Sequence, residues 1–250
     1  MPVSALALPL SARFALWFSA WTAGRTSLDD CRDAIVGEDA AHDVVLMTDD
    51  EPQVLPLIVA LGKLRQRGAV GAGIALPVPG DPLGLAGPSS FNAEVVEARE
   101  GVVLDAADLG LVPQRTGAGV AWTCYPAVSR RQLPDPSEAD TTLRQTLLRA
   151  TDRLADLDVA RWRPEVADEL MALRSTMNAV GTVFPDTMAP RAVRLAALAV
   201  RCRTIVELAL VDEGASITAA EADARRSALT PLDHAARRGL VAACAFPWDR

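Results

Sequence analysis

The chain has 250 residues, of which 50% are hydrophobic, 23% are charged and 4% are aromatic. This composition excludes a disordered chain, a collagen and a disulfide-rich miniprotein, and it provides enough apolar material for a hydrophobic core. The formal net charge is −7, from 32 acidic and 25 basic residues. Because the excess charge is acidic, general binding to a nucleic-acid backbone is disfavoured.

The first predicted element is an amphipathic helix with an aromatic face. Phe14, Trp17, Phe18 and Trp21 follow the i, i+3, i+4, i+7 spacing of one helix face. Arg13 interrupts the apolar run and no basic region precedes it, so we expect neither a membrane span nor a secretory signal. We expect the aromatic face to pack on the protein core. A helix that docks on a membrane surface or on a partner is the alternative.

A second short helix is predicted after a capping box that begins at Ser27. It runs to about Val36 and stops at Gly37, so that the two helices form a hairpin. An acidic run follows at residues 38–51 and contains His42. Paired carboxylates of this kind could bind a divalent cation or act as acid and base, but the spacing matches no metal-binding motif. We therefore interpret the run as a solvated acidic connection.

The middle of the chain predicts a small β-sheet. Residues 44–47 read as a strand or a helix end, residues 54–67 as a helix closed by Gly68, and residues 69–78 as a strand. If both apolar runs are strands, they form a β-α-β crossover and run parallel.

Three further strands are predicted at residues 102–104, 109–114 and 120–125, with a hairpin turn at residues 116–119 between the last two. The pattern at residues 93–100 fits either a helix or a strand.

The predicted secondary structure changes from mixed α/β to helical at the two prolines of residues 133–136. Helices are predicted from there to about residue 157 and at about residues 164–180, 190–212 and 218–245, and Pro231 is expected to split the last one. Basic doublets such as Arg237 and Arg238 are interpreted as surface ion pairs, with contact to nucleic acid as a weaker alternative. We therefore predict an α+β protein. Residues 1–133 form a mixed α/β part with a small sheet, and residues 134–250 form an all-helical, bundle-like part that either folds separately or shares the same core.

The most distinctive stretch is the Pro/Gly-rich loop at residues 77–92. Its glycines permit unusual backbone angles, and a helix that begins at Ser90 would offer free amides to an anion, with a nearby arginine as a clamp. The alternative interpretation is that the loop has no binding role and is a structural connection that contains an Asx-turn. The residues predicted to bind a ligand are Gly80, Asp81, Gly84, Ser90, Asn92, Arg115 and Arg130.

This loop also carries a resemblance to other proteins. The run at residues 75–85, Phe91-Asn92 and Glu97-Ala98 resembles uncharacterised proteins of high-GC actinobacteria, and the similarity extends to the N-terminal aromatic helix and to residues 110–113. It covers the first half of the chain. The resemblance implies a bacterial cytosolic protein and transfers no catalytic residue.

The remaining chemistry-bearing residues form no recognisable catalytic motif. The only histidines are His42 and His234, and neither a nucleophile elbow nor a complete phosphate-binding or dinucleotide-binding motif is present. The four cysteines lack zinc-type spacing and predict buried thiols in a reducing compartment: Cys31, Cys124, Cys202 and Cys244.

We therefore expect a cytoplasmic protein that uses no cofactor or metal and that acts as a non-enzymatic binding or regulatory protein. Its partner would be another protein or a small anionic ligand. The alternative is an enzyme or a small-metabolite-binding protein that uses the loop at residues 77–92.

Overall fold

The computed structural model describes residues 8–46, 51–128, 132–156, 183–211, 219–245 and 247–248. The chain divides into two compact units. The first, which we call the sheet unit, comprises residues 8–133, 183–189 and 244–250. The second, the helical unit, comprises residues 1–7, 134–182 and 190–243.

Six strands and four helices build the described part of the sheet unit. The strands are β1 (His42–Leu46), β2 (Gln53–Pro56), β3 (Gly71–Ala75), β4 (Gly101–Asp105), β5 (Leu109–Thr116) and β6 (Gly119–Pro126). The helices are α1 (Leu10–Thr22), α2 (Leu28–Val36), α3 (Leu57–Gln66) and α4 (Ser89–Ala98). The segment at residues 93–100, which fitted two interpretations, thus lies mostly in a helix.

The strands form one mixed sheet in the order β2-β1-β6-β5-β4-β3. Strands β1 and β6 are parallel, and every other neighbouring pair is antiparallel. The predicted β-α-β crossover is therefore wrong, because three strands separate β1 from β3 and the two run in opposite directions. The helix expected from Val54 also begins later, at Leu57, since the residue before Pro56 is restricted to extended backbone.

The predicted helix cap at Ser27 and the predicted hairpin turn between β5 and β6 are confirmed. The Ser27 hydroxyl accepts a hydrogen bond from the Asp30 amide at 3.0 Å and so caps α2, which ends at Gly37. The β5–β6 hairpin turns at Gly117, where Thr116 and Gly119 are paired. Both features depend on residues within a few positions of each other.

Helix α1 lies against one face of the sheet and is buried on most of its circumference. Phe14 and Phe18 are fully buried, and the Phe14 ring lies 4.9 Å from the Trp122 ring of β6 between centroids. The prediction of a core-facing aromatic helix is confirmed.

The C-terminal half of α1 also closes one edge of the sheet. The buried Ser19 hydroxyl donates to the Ala72 carbonyl at 3.2 Å and accepts from the Ala72 amide at 2.9 Å. One turn later, the Thr22 hydroxyl donates to the Val70 carbonyl at 2.9 Å. Strand β3 is an edge strand, and these side chains bond backbone groups that have no strand partner on that side.

The N-terminal end of α1 is fixed by a residue that is distant in sequence. The Glu100 carboxylate accepts hydrogen bonds from the Ser11 amide and the Ser11 hydroxyl, both at 2.8 Å. A carboxylate at this position stabilises the helix, because the first amides have no intrahelical partner and carry partial positive charge.

The other face of the sheet is covered by α4 over β3, β4 and β5. Phe91 and Val95 of α4 pack with Ala75, Val103 and Val112, one residue from each of these strands. This packing forms a second, smaller core on the side of the sheet opposite α1.

The described part of the helical unit contains α5 (Pro136–Asp156), α6 (Pro190–Val211) and most of α7 (Ala219–Ala245). The three helices meet at Gly239, where an added Cβ would lie 3.2 Å from Leu195 and 3.4 Å from Leu143. The helix predicted at residues 164–180 lies outside the described residues. None of the described helices is long and apolar enough to cross a membrane.

Two expectations about α7 are wrong. The helix continues through Pro231 instead of splitting, because Leu229 and Leu232 on either side are fully packed in the core and hold the backbone in place. Arg237 is buried and not on the surface, and its Nε donates to Asp233 at 2.9 Å one turn earlier.

The closure of β3 by Ser19 can be tested by removing its hydroxyl. We expect Ser19→Ala to lower the free energy of unfolding by about 2–4 kcal/mol, because it leaves a buried amide and a buried carbonyl without a partner. Urea denaturation monitored by circular dichroism measures the change. Ser90→Ala, an exposed serine in α4, is the control and should stay within about 0.5 kcal/mol of wild type. Equal stability of the two variants would contradict the role of Ser19.

Candidate functional site

A cluster around Asp39 brings together two arginines and the buried His42 of the sheet unit. Asp39 lies in the connection between α2 and β1, and its side chain is only 11% exposed. Its carboxylate accepts hydrogen bonds from Arg13 at 2.6 Å, from Arg115 at 2.9 Å and from His42 Nε2 at 2.9 Å. These donors come from α1, β5 and β1, so the carboxylate ties three elements together.

His42 uses both of its ring nitrogens inside the protein. Trp122 Nε1 donates to His42 Nδ1 at 3.2 Å, which leaves the Nε2 proton to face Asp39. This arrangement requires the neutral ring. Burial lowers the pKa of His42 below its ordinary value, and the Asp39 carboxylate offsets part of this effect. A base of this kind would have to break an internal bond before it could accept a proton from a substrate.

Asp39 is held as a carboxylate. Burial opposes the charged form, but the hydrogen bonds from His42, Arg115 and Arg13 outweigh it and hold the pKa of Asp39 well below its usual range. The cluster is therefore a closed ion-pair network that stabilises the connection between α2 and β1.

The expectation of a solvated acidic connection is wrong for this part of the run, because Asp39 and His42 are both largely buried. Arg115, the predicted anion clamp, does bind a carboxylate, and that carboxylate belongs to Asp39 of the same chain.

The loop at residues 77–92 folds back on the sheet. The Leu76 amide donates to the Leu83 carbonyl at 3.1 Å, and Val78 and Asp81 exchange two backbone hydrogen bonds. Gly84 lies so close to β3 that an added Cβ would be 2.6 Å from the Ile74 carbonyl oxygen. The loop is thus an ordered connection whose position depends on Gly84.

The polar residues at the end of this loop bond to the loop itself or face solvent. Asn92 Oδ1 accepts from the Gly87 amide at 3.1 Å, and Ser90 is exposed in the first turn of α4. Phe91, next to Asn92, packs on Gly110 at the start of β5. Arg115 lies five residues further along β5, a distance of ~17 Å, so it is remote from this end of the loop.

Arg130 lies outside the described residues, and ligand binding at the seven predicted positions stays a prediction.

The cysteines behave as buried apolar side chains. All four are free thiols in the interior. Burial raises the pKa of Cys31 to about 12 and those of Cys124 and Cys202 to about 11, and it also raises the pKa of Cys244. The neutral thiol is a poor nucleophile and a poor metal ligand. Within the described ranges, no group of three or more His, Cys, Asp and Glu side chains could hold a metal ion.

Among the described residues, the part of the α4-bearing sheet face formed by β1, β2 and β6 is accessible to solvent. We call it the open patch and define it by the side chains of β1, β2 and β6 on this face: Asp43, Val45, Val54, Ala121 and Thr123. The register places Val45 beside both Val54 and Thr123.

The exposure of the open patch differs sharply from that of the neighbouring half of the sheet. Val54 is 63% exposed, Asp43 is exposed, and the other three side chains are partly buried. Under α4, by contrast, Val103 is 1% and Val112 is 7% exposed. The same sheet face is therefore a sealed core on one half and an accessible surface on the other.

Acidic side chains border the open patch. Asp43 lies within it, and the Glu94 side chain of α4 reaches the Tyr125 hydroxyl at the margin of β6. Glu97 follows on α4 one turn after Glu94 and is also exposed. The surface combines apolar side chains with the negative charge of Asp43 and, at its margin, of Glu94.

These features define an α+β protein with a mixed six-stranded sheet in one unit and helices in the other. The chain belongs to the Rv1486c-like protein family. The model of the family's N-terminal domain matches residues 11–137, and the model of its C-terminal domain matches residues 137–241.

Two relatives from Mycobacterium tuberculosis are similar to this chain. "Uncharacterized protein Rv1486c" of strain H37Rv is 26% identical over 93% of this chain and 95% of its own length. "Uncharacterized protein MT1533" of strain CDC 1551 is 31% identical over 42% of this chain and 43% of its own length. No solved structure matches the chain. The resemblance to actinobacterial proteins is confirmed, and it extends beyond the first half of the chain.

The buried position of His42 predicts a pH-dependent stability. Because the pKa of His42 in the folded protein lies below its ordinary value of about 6.5, protons bind the unfolded chain more tightly. The stabilisation is complete above about pH 6.5, and it is lost as the pH falls through the lower pKa of the folded state.

We expect the free energy of unfolding of the wild type to decrease between about pH 7 and pH 5, measured by urea denaturation. His42→Gln keeps a donor and an acceptor without a titrating group, so it should show a smaller decrease. The same pH dependence in His42→Gln and wild type would refute the assignment.

The loop at residues 77–92 offers a second test. Gly84 and Gly80 have nearly the same backbone angle, with φ of 84° and 83°, but only Gly84 contacts the sheet. Both alanine variants carry the cost of a left-handed residue, about 1–2 kcal/mol. We expect Gly84→Ala to be less stable than Gly80→Ala by a further 1–3 kcal/mol or so, because it also forces the loop away from Ile74. Thermal and urea denaturation would measure the difference, and equal losses would contradict close packing of the loop.

Proposed function

We propose that this protein is a non-enzymatic interaction protein that binds a partner protein through the open patch. The observation that carries the proposal is the contrast across one sheet face, where Val54 is 63% exposed beside a half that is sealed by α4. Uncovered apolar surface with a polar rim is typical of protein interaction sites.

The potentially reactive side chains are hydrogen-bonded or buried within the protein, which supports a binding function over catalysis. Both ring nitrogens of His42 are hydrogen-bonded, and Asp39 accepts bonds from three side chains. Burial keeps the cysteine thiols neutral. General bases and nucleophiles need access to a substrate and a suitable pKa, and these groups are committed to stabilising the fold.

The alternative function, an enzyme or metabolite-binding protein built on the loop at residues 77–92, receives less support. The Asn92 amide oxygen already accepts from the backbone of the loop, and Arg115 is paired with Asp39. We also propose a cytoplasmic location for the protein, and its free, buried cysteines suit a reducing compartment.

Site-specific photo-cross-linking tests the proposed function. A benzophenone amino acid replaces Val54 in the open patch or, as a matched control, Val70, which is 66% exposed just before β3. In the cells that naturally make the protein, we expect discrete cross-linked protein adducts from position 54 and only background from position 70. Background labelling at both positions, or the same adducts from both, would overturn the proposal.

A further inference from the structure

We infer that the partner presents one amphipathic helix with basic flanks to the open patch, an inference that rests on the interaction function proposed above. The width of the patch, the chemistry of its rim and the form of the β2 edge each support this occupant.

The width of the patch fits a single helix. Neighbouring strands lie ~4.8 Å apart, so the centres of β6, β1 and β2 span ~10 Å. A helix with its side chains is ~10 Å in diameter. On the other half of the same face, α4 covers β3, β4 and β5 in this way. A bound helix would therefore extend the existing helical layer by one member.

The apolar centre of the patch matches the stripe of an amphipathic helix. Val54, Val45 and Thr123 form a continuous row across β2, β1 and β6, with Ala121 in the adjacent row. Side chains at i, i+3, i+4 and i+7 of a docked helix would cover these rows and remove them from water.

The acidic side chains in and beside the open patch favour a positively charged partner. Asp43 is exposed on β1, and the Glu94 side chain of α4 reaches the Tyr125 hydroxyl at the margin of the patch. The whole chain carries a net charge of −7. Lysine or arginine on the flanks of the docked helix would complement these carboxylates and accelerate association. Two copies of this chain would bring the same acidic rims together, so charge disfavours a second copy as the occupant.

The edge of the sheet argues against an added strand as the mode of binding. Strand β2 has only four residues, Pro56 is its last residue, and Pro52 directly precedes it. Proline has no amide hydrogen to donate to a neighbouring strand, and short, proline-flanked edges resist pairing. The side-chain face beside this edge is the better docking surface.

A model helix provides the direct test. The probe is a fluorescein-labelled peptide of about 14 residues, or four helical turns, with leucine on one face and lysine on the other. A counterpart has glutamate in place of every lysine. Fluorescence anisotropy compares the full-length wild type with Val54→Arg and Val70→Arg, which add the same charge at equally exposed positions.

We expect the Leu/Lys peptide to bind the wild type and Val70→Arg with similar affinity, and Val54→Arg about tenfold or more weakly. The Leu/Glu peptide should bind none of them. Unchanged far-ultraviolet circular dichroism and melting temperature establish that both variants are folded. Equal affinity of the two arginine variants, or tight binding of the Leu/Glu peptide, would overturn the inference.

The outcomes separate this inference from the proposed function. If position 54 gives partner adducts but the Leu/Lys peptide does not bind, the inference of a basic partner helix is wrong. The proposed interaction function is then still supported. Dimerisation of the wild type in sedimentation, abolished by Val54→Arg and kept in Val70→Arg, would identify a second copy as the occupant and overturn the helix.

Discussion

The sheet unit depends on the burial of α1, because most polar groups that a helix carries into a core need hydrogen-bond partners there. Four polar side chains of α1 bond to three parts of the unit and so fix the position of the helix on the sheet. Their partners lie at the start of β4, in the connection between α2 and β1, and along the free edge of β3. The pairs are Ser11 with Glu100, Arg13 with Asp39, Ser19 with Ala72, and Thr22 with Val70.

In the Asp39 cluster, the need of buried polar groups for hydrogen-bond partners gives potentially reactive side chains a structural role. A carboxylate in a largely buried position needs several donors, and Arg13, His42 and Arg115 provide them. Because His42 also accepts from Trp122, the network continues into the aromatic core. Residues that suggest acid–base chemistry when they are considered one by one are thus used to hold a connection in place.

The two faces of the sheet are covered unequally, and this asymmetry bears on function. Helix α1 packs on one face, where Trp122 is fully buried, whereas α4 covers only half of the other face. In the part of the chain that the structure describes, the other half carries the exposed Val54 and Asp43. The interaction function that we propose rests on this asymmetry.

Features that arise from residues close together in the chain were predictable from the amino-acid pattern. Helix α2 could be predicted from Ser27, the β5–β6 turn from the glycines near residue 117, and the burial of α1 from its aromatic spacing, because each signal acts within one or two turns of chain. The α+β character and the helical second part followed from the same local patterns.

The arrangement of these elements and the roles of the polar residues depend on contacts between residues that are distant in the sequence. The sheet order separates β1 from β3, because strand pairing depends on which apolar faces can be buried together and not on chain order. Asp39 became buried through contacts with Arg13 and Arg115, which are 26 and 76 positions away. The open patch is likewise invisible in the sequence, since Val45 and Val112 are both valines in strands, and only the position of α4 covers one and leaves the other accessible.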